Sequence, residues 1–127
     1  MDVLDYRNFC IALPGTTEEF PFDENTLVFK VMGKMFTACD VDDFESINVK
    51  CNPEKAVELR ELYSAVNPGY HMNKKHWNTI VMDGTISDDI IEQWILDSYT
   101  LVVSGLTKKL KSELEILKNE KKSAKDL

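Results

Sequence analysis

The side chains best suited to chemistry in this chain are concentrated between Gly69 and Met82. This stretch contains no acidic residue, and it includes both histidines of the chain, His71 and His76. It also supplies residue types that meet phosphate oxygens and stack on bases in nucleic-acid complexes: Asn73, Lys74, Lys75, His76 and Trp77. The pattern allows two interpretations, a surface that contacts a polyanion and a lysine-bearing turn whose tryptophan belongs to the core.

The spacings of the histidines and cysteines do not indicate a zinc centre or a nucleophilic catalytic site. His71 and His76 stand five residues apart, whereas paired zinc ligands on a helix are about three or four apart. On a strand, an odd spacing places two side chains on opposite faces. The three cysteines form no C-x-x-C pair, and no G-x-S-x-G motif is present. We therefore expect no metal, no cofactor and no enzymatic activity.

Two further stretches resemble ligand-binding loops but lack essential positions. A calcium loop that began at Asp40 would place Glu45 and Cys51 where a glycine and a carboxylate are required. Gly33-Lys34 is followed by Met35 rather than by the Ser or Thr of a phosphate-binding loop. We predict a solvated acidic loop at residues 40–45 and a hairpin turn at Gly33.

The charge distribution limits how the chain can meet nucleic acid. It has 15 basic and 22 acidic residues, a net charge of −7, and residues 108–127 alone hold seven lysines against four acids. The field of residues 1–107 repels nucleic acid at long range, so any contact must depend on a local basic patch. We expect a monomer or a weak dimer that meets DNA or a protein partner.

Targeting signals and cysteine usage predict the compartment. No apolar run approaches the roughly 20 residues of a membrane span, and the amino terminus lacks the basic and apolar regions of a signal peptide. An odd number of cysteines argues against a disulfide framework. The sequence thus predicts a cytoplasmic protein that does not contact membranes.

The histidine- and lysine-bearing stretch must be positioned by helices and strands. Capping residues predict helices that begin after Asp2, at Asn52-Pro53 and after Ser87, and Gly105 is expected to bend or interrupt the last of them. Both tryptophans, Trp77 and Trp94, are expected to be largely buried because each belongs to an apolar periodic segment.

Alternating apolar residues predict the strands. They are expected over residues 26–31, 35–40, 46–51 and 76–82, with the first two joined as a hairpin at Gly33. Residues 16–25 are expected to form a loop anchored by two aromatic side chains, Phe20 and Phe22. Antiparallel strands with helices on one face predict a two-layer α+β domain over residues 1–118, followed by a polar, lysine-rich, disordered tail over residues 119–127.

Several short motifs in this order resemble the MmcQ/YjbR family of small bacterial proteins. The resemblance extends from about residue 1 to residue 110 and rests on these segments: Leu13-Pro14-Gly15, Gly33-Lys34-Met35-Phe36, Lys50 with Pro53, Tyr70-His71, His76-Trp77-Asn78, Asp83-Gly84 and Ser98-Tyr99. It implies the order α-β3-α-β2-α, in a fold like that of secretion-chaperone domains. It also implies that residues 70–72 and 77–82 pair as a hairpin around residues 73–76.

The resemblance implies a function as well. Members of this family are labelled DNA-binding, and their hairpins are described as a double wing. Of the residues that match the family motifs, the ones assigned to such contact are Lys34, Lys74, Lys75 and Trp77, with Asn73 and His76 beside them. The expected function is weak, sequence-nonspecific DNA binding through the hairpin tips. The alternative is a protein-interaction module of chaperone-like fold with no nucleic-acid or catalytic activity.

Overall fold

A computed structural model describes residues 1–125, with side-chain surroundings given through residue 122. In chain order the elements are α1 (Val3–Ile11), β1 (Thr16–Glu19), β2 (Thr26–Val31), β3 (Lys34–Asp40), β4 (Ser46–Lys50), α2 (Pro53–Leu62), β5 (Val66–Pro68), β6 (Trp77–Val81), α3 (Asp88–Ser104) and α4 (Lys108–Lys125). The predicted α+β class is confirmed.

The six strands form one antiparallel sheet in the order β1-β2-β3-β4-β6-β5. The predicted hairpin of β2 and β3 is present, and its turn places Met32 and Gly33 at positive φ, 50° and 83°. Glycine adopts this conformation without a steric penalty, which explains its place in the turn.

Three helices pack on the same face of this sheet. Thr37 pairs with Val49, and Val49 pairs with Asn78, so their side chains share one face. On that face Tyr6 of α1 shares a 2.9 Å hydrogen bond with Thr37, and Asn78 donates to the carbonyl of Ala56 in α2 at 3.3 Å. Helix α3 joins the same core through side chains at helical spacing: Ile91, Trp94, Ile95, Tyr99 and Val102.

The stretch predicted as a loop with aromatic anchors differs from that prediction. Residues Thr16–Glu19 form the edge strand β1, whose Glu18 pairs with Arg7 of α1. Phe20 and Phe22 are 51% and 73% exposed and anchor nothing. The polar composition of residues 16–19 suits an edge strand, which needs apolar residues less than a central strand does.

All three predicted helix starts are confirmed, and in two of them the N-cap side chain makes the capping hydrogen bond. Asp2 accepts from the backbone N–H of Asp5 at 2.8 Å, and Asn52 accepts from that of Glu54 at 3.0 Å. Ser87 occupies the N-cap position of α3, but its side chain makes no capping hydrogen bond.

The carboxyl-terminal helix α4 is fixed to the domain by Leu114, which is 1% exposed. Lys121 also donates through Nζ to the carbonyl of Ala12 in the segment after α1. We predicted a domain that ends at residue 118. The structure continues α4 to Lys125, and residues 126–127 of the predicted tail lie outside the described residues.

Candidate nucleic-acid interface

Strand register gathers the candidate lysines at one end of the sheet. Lys50, at the end of β4, pairs with Trp77, at the start of β6. β3 is antiparallel to β4, so Lys34 at its start lies at this end too, and so does the loop of residues 69–76 that precedes β6. We call this the basic end, and it comprises Lys34, Lys50, residues 69–76 and Trp77. Sequence reasoning included Lys50 among the family motifs but did not assign it to nucleic-acid contact, because a strand-terminal lysine has no local signature of such a role.

The opposite end of the sheet is acidic. There β3 ends at Asp40 and is followed by a loop with the carboxylates of Asp42, Asp43 and Glu45, and Asp83 lies just after β6. The pKa of Asp83 is lowered because its carboxylate accepts hydrogen bonds from Thr85. The chain is therefore acidic overall, but its charges are segregated along the strand direction.

Helix α4 adds lysines to the basic end. A Cβ placed on Gly15 would lie 2.7 Å from Leu114 Cδ1 and 3.2 Å from Met32 Sδ. Leu114 therefore packs beside the β2–β3 turn, which belongs to the basic end. Over its residues 108–122, α4 contains six lysines and three glutamates. The cationic segment that is remote in sequence thus lies beside the hairpin turn that precedes Lys34.

The loop of residues 69–76 is built differently from the predicted hairpin. The strand that pairs with β6 is Val66–Pro68 rather than residues 70–72. After Gly69, whose N–H donates to the Trp77 carbonyl at 2.8 Å, the chain leaves the ladder. The Tyr70 N–H then donates to the Thr79 hydroxyl at 2.8 Å, and His71 has a left-handed φ of 58°. These two features stop further strand pairing.

The two tip lysines are not equivalent. Lys75 is exposed, and its backbone N–H donates to Asn73 Oδ1 at 3.0 Å, which stabilises the turn. Lys74 is exposed as a residue, but its Nζ donates to the Gly69 carbonyl at 2.9 Å, and its own carbonyl accepts from Arg60. The Lys74 ammonium group, which the resemblance assigns to nucleic-acid contact, therefore closes the loop in this structure.

The aromatic residues of the loop also differ from expectation. Trp77 is half-buried rather than core, because strand alternation points Asn78 and Ile80 toward the helices and Trp77 toward the other face. His76 is half-buried as well, and its carbonyl accepts from the Cys51 N–H at 2.8 Å. The exposed aromatic pair consists of Tyr70, 68% exposed, and His71, whose rings lie 4.0 Å apart.

Arg60 of α2 stabilises the loop of residues 69–76 by hydrogen bonds. Its Nε donates to Asn78 Oδ1 at 2.7 Å, and its Nη2 donates to the carbonyls of Trp77, at 3.2 Å, and Lys74. Sequence reasoning missed this role, because Arg60 lies on a different element from the loop. One guanidinium therefore joins helix α2, strand β6 and the loop, as the forked donor geometry of arginine permits.

Ser98 of α3 completes the sheet where β3 and β4 separate. The last pair of their ladder is Thr37 with Val49. At the next position the Ser98 hydroxyl accepts from the Lys50 N–H at 2.8 Å and donates to the Phe36 carbonyl at 2.5 Å. A side chain thus replaces the missing strand-to-strand hydrogen bond, and it fixes the position of Lys50.

The three thiols differ in their access to solvent. Cys10 and Cys39 are buried, and desolvation raises the pKa of Cys39 to about 12. Cys51 is half-buried beside Lys50, and burial raises its pKa while nearby Lys55 opposes the shift. Among residues 1–125, no three His, Cys, Asp or Glu side chains converge as metal ligands.

The structure as a whole defines a small α+β domain with helices on one sheet face and lysines at one sheet end. The family model named YjbR matches residues 11–101, and the chain belongs to this family. The motifs that carried the resemblance include Ser98, Asn78 and Pro14, whose carbonyl accepts from the Tyr99 hydroxyl at 2.6 Å. These motif residues make hydrogen bonds that hold the fold together.

Relatives with similar sequences and structures agree with this assignment. The chain is 36% identical over 104 residues to YbdF of Escherichia coli O157:H7, covering 81% of this chain and 85% of that protein. It is 31% identical over 107 residues to YjbR of Escherichia coli K12, covering 84% and 91%. A crystal structure of Deinococcus radiodurans DR2400, with a DUF419 domain, matches with 40% identity and a TM-score of 0.83 over 90% of this chain and 88% of that one.

A more distant structure shows the fold alone. A protein from Pseudomonas syringae has 23% identity and a TM-score of 0.67, over 80% of this chain and 98% of its own. Within residues 1–125, no helix has both the length and the apolar character that a membrane crossing requires.

Proposed function

We propose that this YjbR-family protein binds nucleic acid weakly, and without sequence preference, through the basic end of its sheet. The observation that supports this function is the convergence of Lys34, Lys50 and Lys75 with the lysine-rich helix α4 at one end of a protein that is acidic elsewhere. Lysine ammonium groups can meet phosphates, and the exposed Tyr70 and His71 rings can stack on bases.

Electrostatics sets the expected strength. The lysines of the β2–β3 turn and of the loop of residues 69–76 can reach about two to four phosphates. The logarithm of the binding constant should therefore fall only slowly with the logarithm of the salt concentration, with a slope on the order of −2 to −4. The carboxylates at the other end of the sheet repel the polyanion most at low ionic strength, where screening is weakest. Together these terms give low affinity and orient the bound nucleic acid away from the acidic end.

The test compares two double variants that have the same net charge. Lys34→Gln with Lys75→Gln removes two charges at the basic end, and Asn25→Asp with Ser64→Asp lowers the net charge by the same amount through exposed positions near the acidic end. In fluorescence anisotropy with a labelled duplex, the first variant should lose affinity, and its salt slope should fall by about two. The second should retain the wild-type slope.

Lys74 is left unchanged in this test, because its ammonium closes the loop onto Gly69. Equal affinity and equal slope for wild type and the lysine variant would contradict the proposal. Absence of saturable binding by wild type at low salt would contradict it as well.

A protein-interaction module is the second candidate function. It is favoured by an apolar surface around the edge of the sheet, where Leu4 and Phe20, 59% and 51% exposed, line one shallow depression. Exposed apolar patches of this kind mark contact sites in soluble proteins. A pull-down with and without nuclease separates the two functions, because a partner retained after digestion does not depend on nucleic acid.

A further inference from the structure

A cavity of about 370 Å³ lies between α2, α3 and the sheet. Its walls are mainly apolar, and both helices and the sheet contribute to them: Val49, Leu59, Val66, Ile80, Trp94 and Leu101. Small-molecule sites generally have volumes of roughly 300–1,000 Å³ and apolar walls with a few polar groups. This cavity therefore has the size and lining of a ligand site.

Helical spacing explains why the cavity forms. On α3, Trp94, Asp97 and Leu101 recur at intervals of three and four, and so present one face to α2. On α2, Lys55 and Leu59 recur at an interval of four and face α3. The cavity lies over β4 and β6, where the facing side chains of the two helices do not fill the space between them.

The mouth of the cavity carries one ammonium group without a carboxylate partner. Lys55 lines the mouth and forms no ion pair with a side chain in the described part of the protein, whereas the Lys50 side chain shares the opposite sheet face with Trp77. The first turn of α2 begins there with Asn52, whose helix end carries a partial positive charge. One carboxylate, that of the exposed Asp97, also lines the mouth and accepts from Gln93 Nε2 at 2.8 Å.

A buried amide lines the floor. Asn78 is 1% exposed, its Oδ1 accepts from Arg60 and its Nδ2 donates to the Ala56 carbonyl. Nδ2 carries two hydrogens, and the second has no acceptor among the hydrogen bonds of the described residues. It is available to an oxygen of a ligand.

We propose that this cavity binds a small organic anion with an apolar body, which lies against Trp94 and Leu101 while its anionic group meets Lys55 at the mouth. The apolar walls and the Lys55 ammonium group at the mouth match this chemical class and disfavour a polar or cationic ligand. The site is separate from the proposed nucleic-acid surface, which uses Lys34, Lys50 and Lys75 with the lysines of α4.

Two dyes of matched shape test the proposal. 8-Anilinonaphthalene-1-sulfonate has an apolar body and an anionic group, and N-phenyl-1-naphthylamine has the same body without the charge. We expect the sulfonate to bind wild type saturably with one molecule per chain, as measured by fluorescence titration. Bound dye should also slow the modification of Cys51, the half-buried thiol at the mouth, by a thiol reagent.

Variants locate the bound dye. Leu101→Trp fills the cavity and should weaken sulfonate binding by about tenfold or more. Ile90→Trp adds the same side chain to an exposed position of α3 outside the cavity, and should leave binding unchanged. Since Leu101→Trp can disturb folding, Ser104→Trp, at an exposed position on the rim, provides a second block.

Charge variants test the class of ligand. Lys55→Gln should weaken the sulfonate several-fold and leave the uncharged dye unaffected, and Asp97→Asn should strengthen the sulfonate, because it removes the carboxylate from the mouth. Two outcomes overturn the proposal. One is sulfonate binding that fails to saturate at one per chain or persists in both tryptophan-blocked variants. The other is an equal effect of Lys55→Gln on the two dyes.

Discussion

Replacing Ser98 with alanine removes the hydroxyl that bridges β3 and β4. The substitution leaves two backbone groups without partners, the buried Phe36 carbonyl and the half-buried Lys50 N–H. Each buried polar group left unsatisfied costs about 1–3 kcal/mol. Since Ser98 is fully buried and water has no direct access to replace the hydroxyl, we expect a loss of about 2–4 kcal/mol in the free energy of unfolding.

Urea unfolding followed by circular dichroism measures this loss. With a slope of about 2 kcal/mol per molar urea, the midpoint should fall by about 1–2 M. The control is Ser104→Ala, in the same helix, because the exposed Ser104 hydroxyl donates only to the Leu101 carbonyl in its own turn. That variant should change the free energy of unfolding by less than about 0.5 kcal/mol. Equal midpoints for the two variants would refute the bridging role of Ser98.

Three further substitutions test the packing. Trp94→Ala should cost about 3–5 kcal/mol in urea unfolding, as large-to-small core changes do, and an unchanged midpoint would show that the inner face of α3 is misassigned. Gly15→Ala combines a positive φ of 73° with a methyl group 2.7 Å from α4. It should lower the free energy of unfolding by about 2–4 kcal/mol. Gly33→Ala should lower it by only about 1 kcal/mol, because a Cβ on Gly33 meets no atom within 4 Å. Similar losses for the two variants would contradict the close approach of α4. Arg60→Gln should speed amide exchange in residues 69–77, whereas Arg7→Gln, which loses an exposed ion pair, should not.

The parts of the fold that the sequence predicted are those encoded by neighbouring residues. Asp2 and Asn52 cap their helices through atoms two or three residues away, and Gly33 supplies the turn of its own hairpin. The missed strands, β1 and β5, lie at the sheet edges, where pairing on one side suffices and an apolar alternation is not required. Their formation depends on a partner strand that local pattern does not reveal.

The candidate site was predictable in composition but not in geometry. Lys34 and Lys75 are exposed, whereas the Lys74 ammonium binds a carbonyl, because Gly69 comes close to it only after the loop folds back. Trp77 was expected in the core, but the register with Lys50 places it on the face away from the helices. The arrival of α4 beside the hairpin turn follows from the contact of Leu114 with Gly15, which no short window of sequence contains.

The two edge strands of the sheet determine how copies of this protein meet one another at high concentration. An unpaired strand edge is a template for intermolecular pairing, and native sheets restrict it by charge, brevity or proline. Here β1 has four residues that end in Glu18 and Glu19 and is followed by Pro21, and β5 has three residues that end in Pro68. Neither edge offers the long, uncharged template from which cross-β aggregates extend. We therefore expect a second chain that attaches to this protein to use side-chain contacts rather than to extend the sheet.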